Sequence, residues 1–266
     1  MGEAAVSESL PVAILVGGMG TRLGPNGEAP PKALVEVGDR PILWHIMKIY
    51  AAFGHTHFVL TLGYRGDLIR RYWLDYDVMN RDLTFSPGEA CELTFHHPAA
   101  EPGWRVTLAD TGLWTNKGAR IRRVAEYLGE GTFFVTYGDG MGDVDLDALL
   151  AFHRDHGKLA TLTGVRPFSQ YGLVDATDDG RVRGVYEKSR LDHWINAGFM
   201  VLEHGALDYF QGDDTLDLEK QVLPHLAADG QLMMYRHTGF WQSMDTFKDA
   251  QVLTELWETS APWQVW

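Results

Sequence analysis

Residues Ala13 to Val37 read AILVGGMGTRLGPNGEAPPKALVEV. An apolar run empties into Gly17, Gly18 and Gly20, followed by Thr21, Arg22 and, ten residues further on, Lys32. Glycines let backbone N–H groups approach an anion closely, the threonine adds a hydroxyl, and a guanidinium is a planar fork matched to phosphate oxygens. The chemistry open to this stretch is capture of a phosphate. The same residues also make a tight strand-to-helix turn with surface charges. It is not a dinucleotide fingerprint, because Leu23 stands where the third glycine belongs and the second strand ends in LGYRG without an acid for a ribose. No Gly-Lys-Ser/Thr completes a Walker A loop either.

Carboxylates come next. TYGDG sets Gly138 and Asp139 just beyond an apolar run, and an aspartate between glycines suits Mg²⁺ as well as it suits a turn. Asp143, Asp145 and Asp147 read as acids at a helix N-terminus rather than as ligands. Asp245, in GFWQSMDT, precedes the final helix, where Asp245 or Thr246 can serve as the cap. Lys188 ends a strand in VYEKS, and Asn196 begins INAGF with an amide that suits a sugar hydroxyl. The eleven histidines include no HExxH, and neither His55/His57 nor His96/His97 has partners at metal-ligand spacing. Cys91 carries no nucleophile signature, no G-x-S-x-G elbow is present, and Trp241 reads as core or pocket wall.

The elements that must hold these residues alternate. VAILV, HFVLTLG and TFFVTYGDG read as buried strands; PILWHIMKIYAAFG, RGDLIRRYWLDY, ARIRRVAEYL and DVDLDALLAFHRDHG read as helices. ELTFHH and WRVTLAD are shorter strands. The second half is richer in strands (KLATLTGV, YGLVDA, VRGVYEK, INAGFMVLE, QLMMYRH), with helices at 204–210, at 217–228 and from Thr246 to Glu258. Strands alternating with helices imply βαβ units. The expected fold is α/β, a doubly wound, mostly parallel, Rossmann-like sheet whose smaller β-rich C-terminal portion folds over the carboxyl edge, where ligands bind. No composition shift divides the chain, so 1–266 is read as one domain.

The 266 residues carry a net charge of -13, which argues against nucleic acid as a partner, since phosphate binding over a broad face needs a basic field. A local pocket with a metal ion is the expected way to hold phosphate. No apolar run reaches transmembrane length, MGEAAVSESLPVAIL lacks a basic leader, and one cysteine fits a reducing compartment, so a cytoplasmic protein is expected.

Together, GGMGTRL, the PK of PPKALVEV, YGDG, EK and the late MDT loop resemble the sugar-1-phosphate nucleotidylyltransferases. ALVEVGDRPILWHIMKIYAAFG, LGYRGDLIRRYW, VTLADTG with ARIRRVAEYL, FVTYGDGMGDVDL and GFWQSMDTFKDAQVLTELWE ending in APWQVW are similar to the glucose-1-phosphate cytidylyltransferases, in order from Val12 to Trp266. The resemblance implies transfer of CMP from CTP to a sugar 1-phosphate, most simply glucose 1-phosphate, with release of pyrophosphate. By that pattern 12–150 is the nucleotide-binding half and 151–266 the sugar-phosphate half. The glycine loop with Thr21 and Arg22 would cradle the triphosphate, Lys32 would neutralise the α-phosphate, and Asp139 and Asp245 would hold Mg²⁺. Lys188 would grip the sugar's phosphate, and Asn196 its hydroxyls, with Ala197 at the pocket wall. Gly63 and Gly138 would lie near the nucleotide, as would Arg120, within one subunit or across an interface. A homo-oligomer is implied, with the loop from Asp75 to Ala90 reaching a neighbour.

The chain departs from the pattern in four places. KPKPM becomes PPKAL, so Pro30 stands where a cation does elsewhere; TGGR becomes Lys117-Gly118-Ala119-Arg120; EKP becomes Glu187-Lys188-Ser189; INGGFF becomes INAGFM, with Ala197 and Met200. Changes beside the sugar pocket leave another hexose or heptose 1-phosphate, or another nucleotide, as alternatives. A homologue that binds nucleotide sugars without turnover is a further alternative, and a dinucleotide-dependent oxidoreductase is the most distant one.

Overall fold

The computed structural model describes residues 9–18, 30–87, 92–169, 171–187 and 190–266. A central eight-stranded sheet organises the chain. Its strands are β1 (Pro11–Leu15), β2 (His57–Leu62), β3 (Arg105–Asp110), β4 (Phe133–Tyr137), β5 (Ala160–Val165), β6 (Ile195–Asn196), β7 (Met200–Leu202) and β8 (Leu232–Arg236). They lie in the order β6-β5-β7-β4-β1-β2-β3, with β8 paired to β5. The β4-β1-β2-β3 block is parallel throughout, β5 and β8 are parallel, and β7 runs antiparallel between β4 and β5.

β1 explains why the sheet is covered on both faces. Val12 and Ile14 enter one core, and Ala13 enters the other, as the two-residue period of a strand requires. The first core packs α1 (Ile42–Ala52) and side chains of α2 (Gly66–Leu74), α5 (Leu146–His156) and α7 (Phe247–Thr259) against Phe58, Leu60, Phe134 and Val201. The second packs α4 (Lys117–Arg123) and α6 (Leu223–Ala228) against Val59, Val135 and Met200.

Three regions differ from the sequence reading. The helix expected through RGDLIRRYWLDY stops at Leu74, and Asp75 leads into a short helix, α3 (Tyr76–Asn80); a strand at Leu83–Ser86 then pairs with Glu92–Phe95. The described part of the segment from Asp75 to Ala90 is therefore mostly ordered secondary structure rather than a loop. INAGFMVLE splits into β6 and β7 because Gly198 and Phe199 both take positive φ, 79° and 46°. The helix expected at 217–228 begins as a π turn at Leu218–Val222, where Asp217 caps the amides of Glu219 and Lys220.

Candidate active site

The strand order reverses between β1 and β4, the place where a doubly wound sheet opens a crevice at its carboxyl edge. Gly17 and Gly18 leave β1 there, and Gly138 and Asp139 leave β4. A cleft of about 370 Å³ opens between them, its lining including Gly18, Thr115, Lys117, Arg120, Tyr137 and Asp139.

Lys32 stands at the start of a short 3₁₀ turn, Lys32–Leu34, entered through Pro31. Its Nζ lies 2.7 Å from Asp139 Oδ2 and 2.7 Å from Asp245 Oδ1. Burial works against the ammonium, but the two carboxylates outweigh it and hold the lysine pKa above its ordinary value. Residues far apart in sequence meet here through a small antiparallel ladder. Gly140–Gly142 pairs with Trp241–Ser243, and the Met244 amide donates to the Asp139 carbonyl at 2.8 Å. Asp245 faces Lys32, and the cap of α7 is supplied by Thr246. The Thr246 hydroxyl accepts from the Asp249 amide at 3.2 Å, and the Asp249 carboxylate accepts from the amides of Thr246 and Asp245. Ser243 donates its hydroxyl to Asp245 Oδ2 at 3.0 Å.

Arg120 lines the cleft and is also bonded within its own chain. It is 4% exposed. Its guanidinium donates to the carbonyls of Leu62 (3.0 Å), Gly17 (3.1 Å) and Leu113 (3.3 Å) and to Thr111 Oγ1 (2.6 Å). These acceptors belong to the ends of β1, β2 and β3 in its own chain, so the arginine clasps three strand ends from within. Burial, then Arg123, lowers its pKa.

The clasp also explains two of the glycines. A Cβ at Gly63 would stand 2.5 Å from Arg120 Nη1 and 2.6 Å from the Gly17 carbonyl; one at Gly17 would stand 2.5 Å from Arg120 Cζ. A Cβ at Gly138 would meet Val16 Cγ1 at 2.8 Å. Among the described residues, nothing lies within 4 Å of a Cβ at Gly18.

Asn196 Nδ2 donates to the Tyr137 hydroxyl at 2.9 Å, and that hydroxyl donates to Glu219 Oε1 at 2.6 Å. Burial first, and Glu219 second, push the phenol pKa far up, so Tyr137 stays a donor. Ala197 is 1% exposed. Its carbonyl accepts from Trp241 Nε1 at 3.0 Å, and Trp241 packs against the first core. Of the three acids around the start of α5, Asp147 lies in its first turn and Asp145 caps the Ala148 amide, whereas Asp143 accepts from the Phe240 amide at 2.7 Å and pairs with His237.

Gly20, Thr21, Arg22, Lys188 and Ser189 lie outside the described residues. Among the described residues no group of three or more His, Cys, Asp or Glu side chains converges. Tyr137 and Glu219 are site residues that the sequence reading passed over, and Lys117 entered it only as a departure from the family pattern. Strand alternation through FFVTY offered a signal for Tyr137, on the same side as Val135; nothing local marks Glu219.

The profile of the nucleotidyl transferase family matches residues 12–254. The glucose-1-phosphate cytidylyltransferase of Salmonella typhi is 44% identical over 256 residues, spanning 95% of this chain and 98% of that protein. A probable glucose-1-phosphate cytidylyltransferase of Bacillus subtilis is 38% identical over 254 residues, with the same coverage. Among solved structures, HddC from Yersinia pseudotuberculosis shares the fold with a TM-score of 0.66 at 21% identity, over 93% of this chain and 99% of that one. A crevice at the switch point of the sheet, two carboxylates converging on a lysine there, and these likenesses agree: the chain belongs to the nucleotidyl transferase family, among its glucose-1-phosphate cytidylyltransferases.

Proposed function

We propose that this enzyme transfers the cytidylyl group of CTP to glucose 1-phosphate, giving CDP-glucose and pyrophosphate, with Mg²⁺ held by Asp139 and Asp245. The observation that carries the reading is the convergence of both carboxylates on one positive charge at the switch point. Two hard carboxylate oxygens aimed at a single cation fit Mg²⁺, which takes one or two carboxylates and completes its shell with phosphate oxygens and water. When bound, the ion supplies charge neutralisation between the two anionic substrates.

The chain's own residues account for the rest. The nucleophile is a phosphate oxygen of the sugar phosphate, already ionised, so no general base is required. The obstacle is repulsion between polyanions, and it yields to positioning and to cationic groups in line with the leaving pyrophosphate. Lys32, kept protonated by its two neighbours, is the cation that a substrate phosphate can draw from the carboxylates. Arg120 fixes the strand ends that form the cleft floor. Tyr137, held between Asn196 and Glu219, keeps the Asn196 amide aimed at the corner where sugar hydroxyls would bind.

Pyrophosphate release with Mg²⁺, crossing five nucleoside triphosphates with a panel of sugar 1-phosphates, tests the reading. Fast release with CTP and glucose 1-phosphate supports it; release with CTP and a different sugar reassigns the substrate; no release with any pair overturns it. A homo-oligomer is part of the proposal. The ribbon of Leu173–Ala176 with Val182–Tyr186 supports it by exposing Val174, Val182, Val185 and Tyr186, and light scattering of the purified protein tests it.

A further inference from the structure

Lys117 is a cation of the cleft that the reading above does not use. Its side chain lines the same cleft as Gly18 and Asp139. Its Nζ pairs with Glu219 and stands 5.2 Å from the centre of the Tyr137 ring. The ion pair is half open to solvent, with side-chain exposures of 44% and 31%, and such pairs add little to stability.

Nor is the pair needed to join the segments it spans. The Asn116 amide donates to the Asp214 carbonyl at 2.8 Å, Asn116 Nδ2 to the Thr215 carbonyl at 2.9 Å, and the Ala119 amide to the Leu216 carbonyl at 3.2 Å. These bonds already fix the start of α4 against the 214–216 segment. Glu219 itself sits in the π turn, a local widening of a helix that tends to occur at functional sites. The Tyr137 hydroxyl donates to the same carboxylate oxygen as Lys117, Oε1, at 2.6 Å. Glu219 therefore has a second partner and does not lose all hydrogen bonding when Lys117 leaves.

Electrostatics gives the lysine its task. The cleft presents the Asp139 carboxylate to an incoming polyanion, and the Arg120 guanidinium is occupied by four acceptors of its own chain. A flexible four-carbon cation at the rim, restrained by one half-buried carboxylate, is suited to meet a phosphate there. We propose that Lys117 is a further phosphate-binding residue of the cleft, parked on Glu219 until substrate phosphate draws it away. This rests on the cleft being the substrate site, and it names one more group that makes it so.

The experiment is calorimetric titration of CTP, glucose 1-phosphate and inorganic tripolyphosphate into the unaltered protein and into Lys117→Met, Lys117→Arg and Glu219→Gln, with melting curves for each. Lys117→Met should weaken at least one of the three by about fivefold or more, as loss of a charge-assisted bond does, while Lys117→Arg keeps most of the affinity. Glu219→Gln should tighten that same ligand by about twofold, because the competing carboxylate is gone while an amide still accepts from Tyr137. Two results would overturn the inference: unchanged affinities in Lys117→Met, or Glu219→Gln reproducing the loss seen in Lys117→Met, which is what a purely structural ion pair predicts. Turnover is read separately. An inactive parent that still binds tripolyphosphate through Lys117 would sink the proposed reaction and leave this inference standing.

Discussion

Replacing Arg120 by methionine separates a clasp from a ligand. The substitution keeps a long side chain and removes four charge-assisted hydrogen bonds, worth about 1.5–3 kcal/mol each before offsets. Two offsets are visible. The Leu62 and Gly17 carbonyls keep the amides of Thr111 (2.9 Å) and Tyr64 (3.2 Å), so they are not stranded. The buried guanidinium has Arg123 as its next electrostatic neighbour, and removing a buried charge of this kind returns several kcal/mol of desolvation. What is left is a loss of about 3 kcal/mol in the free protein, or roughly 6–12 °C in melting temperature for a chain of this size. Urea denaturation without ligands measures it. A loss below about 1 kcal/mol together with abolished CTP binding would refute the reasoning, because the arginine would then act on the nucleotide and not on its own strand ends.

Further outcomes follow from the same geometry. Lys32→Ala should lower kcat by about 100-fold or more with little change in substrate affinity; a raised KM at constant kcat would assign it uniform binding instead. Gly17→Ala should destabilise the free protein, since the new Cβ meets Arg120 Cζ at 2.5 Å and the Thr61 carbonyl at 2.9 Å. Its cost should fall when combined with Arg120→Met, and strict additivity of the two in urea melts would count against a shared contact. His45 and His55 are buried and held neutral, each with its pKa lowered to about 4 chiefly by burial. The unfolded chain binds protons at these positions from about pH 6.5 downward while the folded chain does not, so stability is full above that pH and falls as pH drops toward 4. Each contributes a loss of about 2 kcal/mol at pH 5. Urea melts at pH 8 and pH 5 check this, and His55→Phe should remove its own share of the difference and leave that of His45.

The fold was legible where periodicity is strong. The buried runs VAILV, HFVLTLG and TFFVTY are continuous because both faces of the sheet are covered, and each is a strand of the parallel block. What could not be read were contacts with main chain and very short pairings. The ladder of Gly140–Gly142 with Trp241–Ser243 is three residues long and two-thirds glycine on one side, so it leaves no alternation to detect. Asp245 and Thr246 were ambiguous because both residue types cap helices; Asp249, three residues on, is what completes the capping box on Thr246. Arg120 could be noticed as an arginine of the site, but its acceptors are three carbonyls and a threonine hydroxyl, and a carbonyl carries no residue identity.

The antiparallel strand β7 has a mechanical consequence. It belongs to the second half of the chain, yet it lies between β4 and β5, with Met200, Val201 and Leu202 in register with Val135, Phe134 and Phe133. Main-chain hydrogen bonds therefore run unbroken from the strands beneath the glycine turn to those beneath Asn196. The two halves cannot rock apart like jaws without tearing the middle of the sheet. The floor behaves as an anvil of fixed shape, and adjustment to one sugar or another falls to the side chains and connecting segments above it.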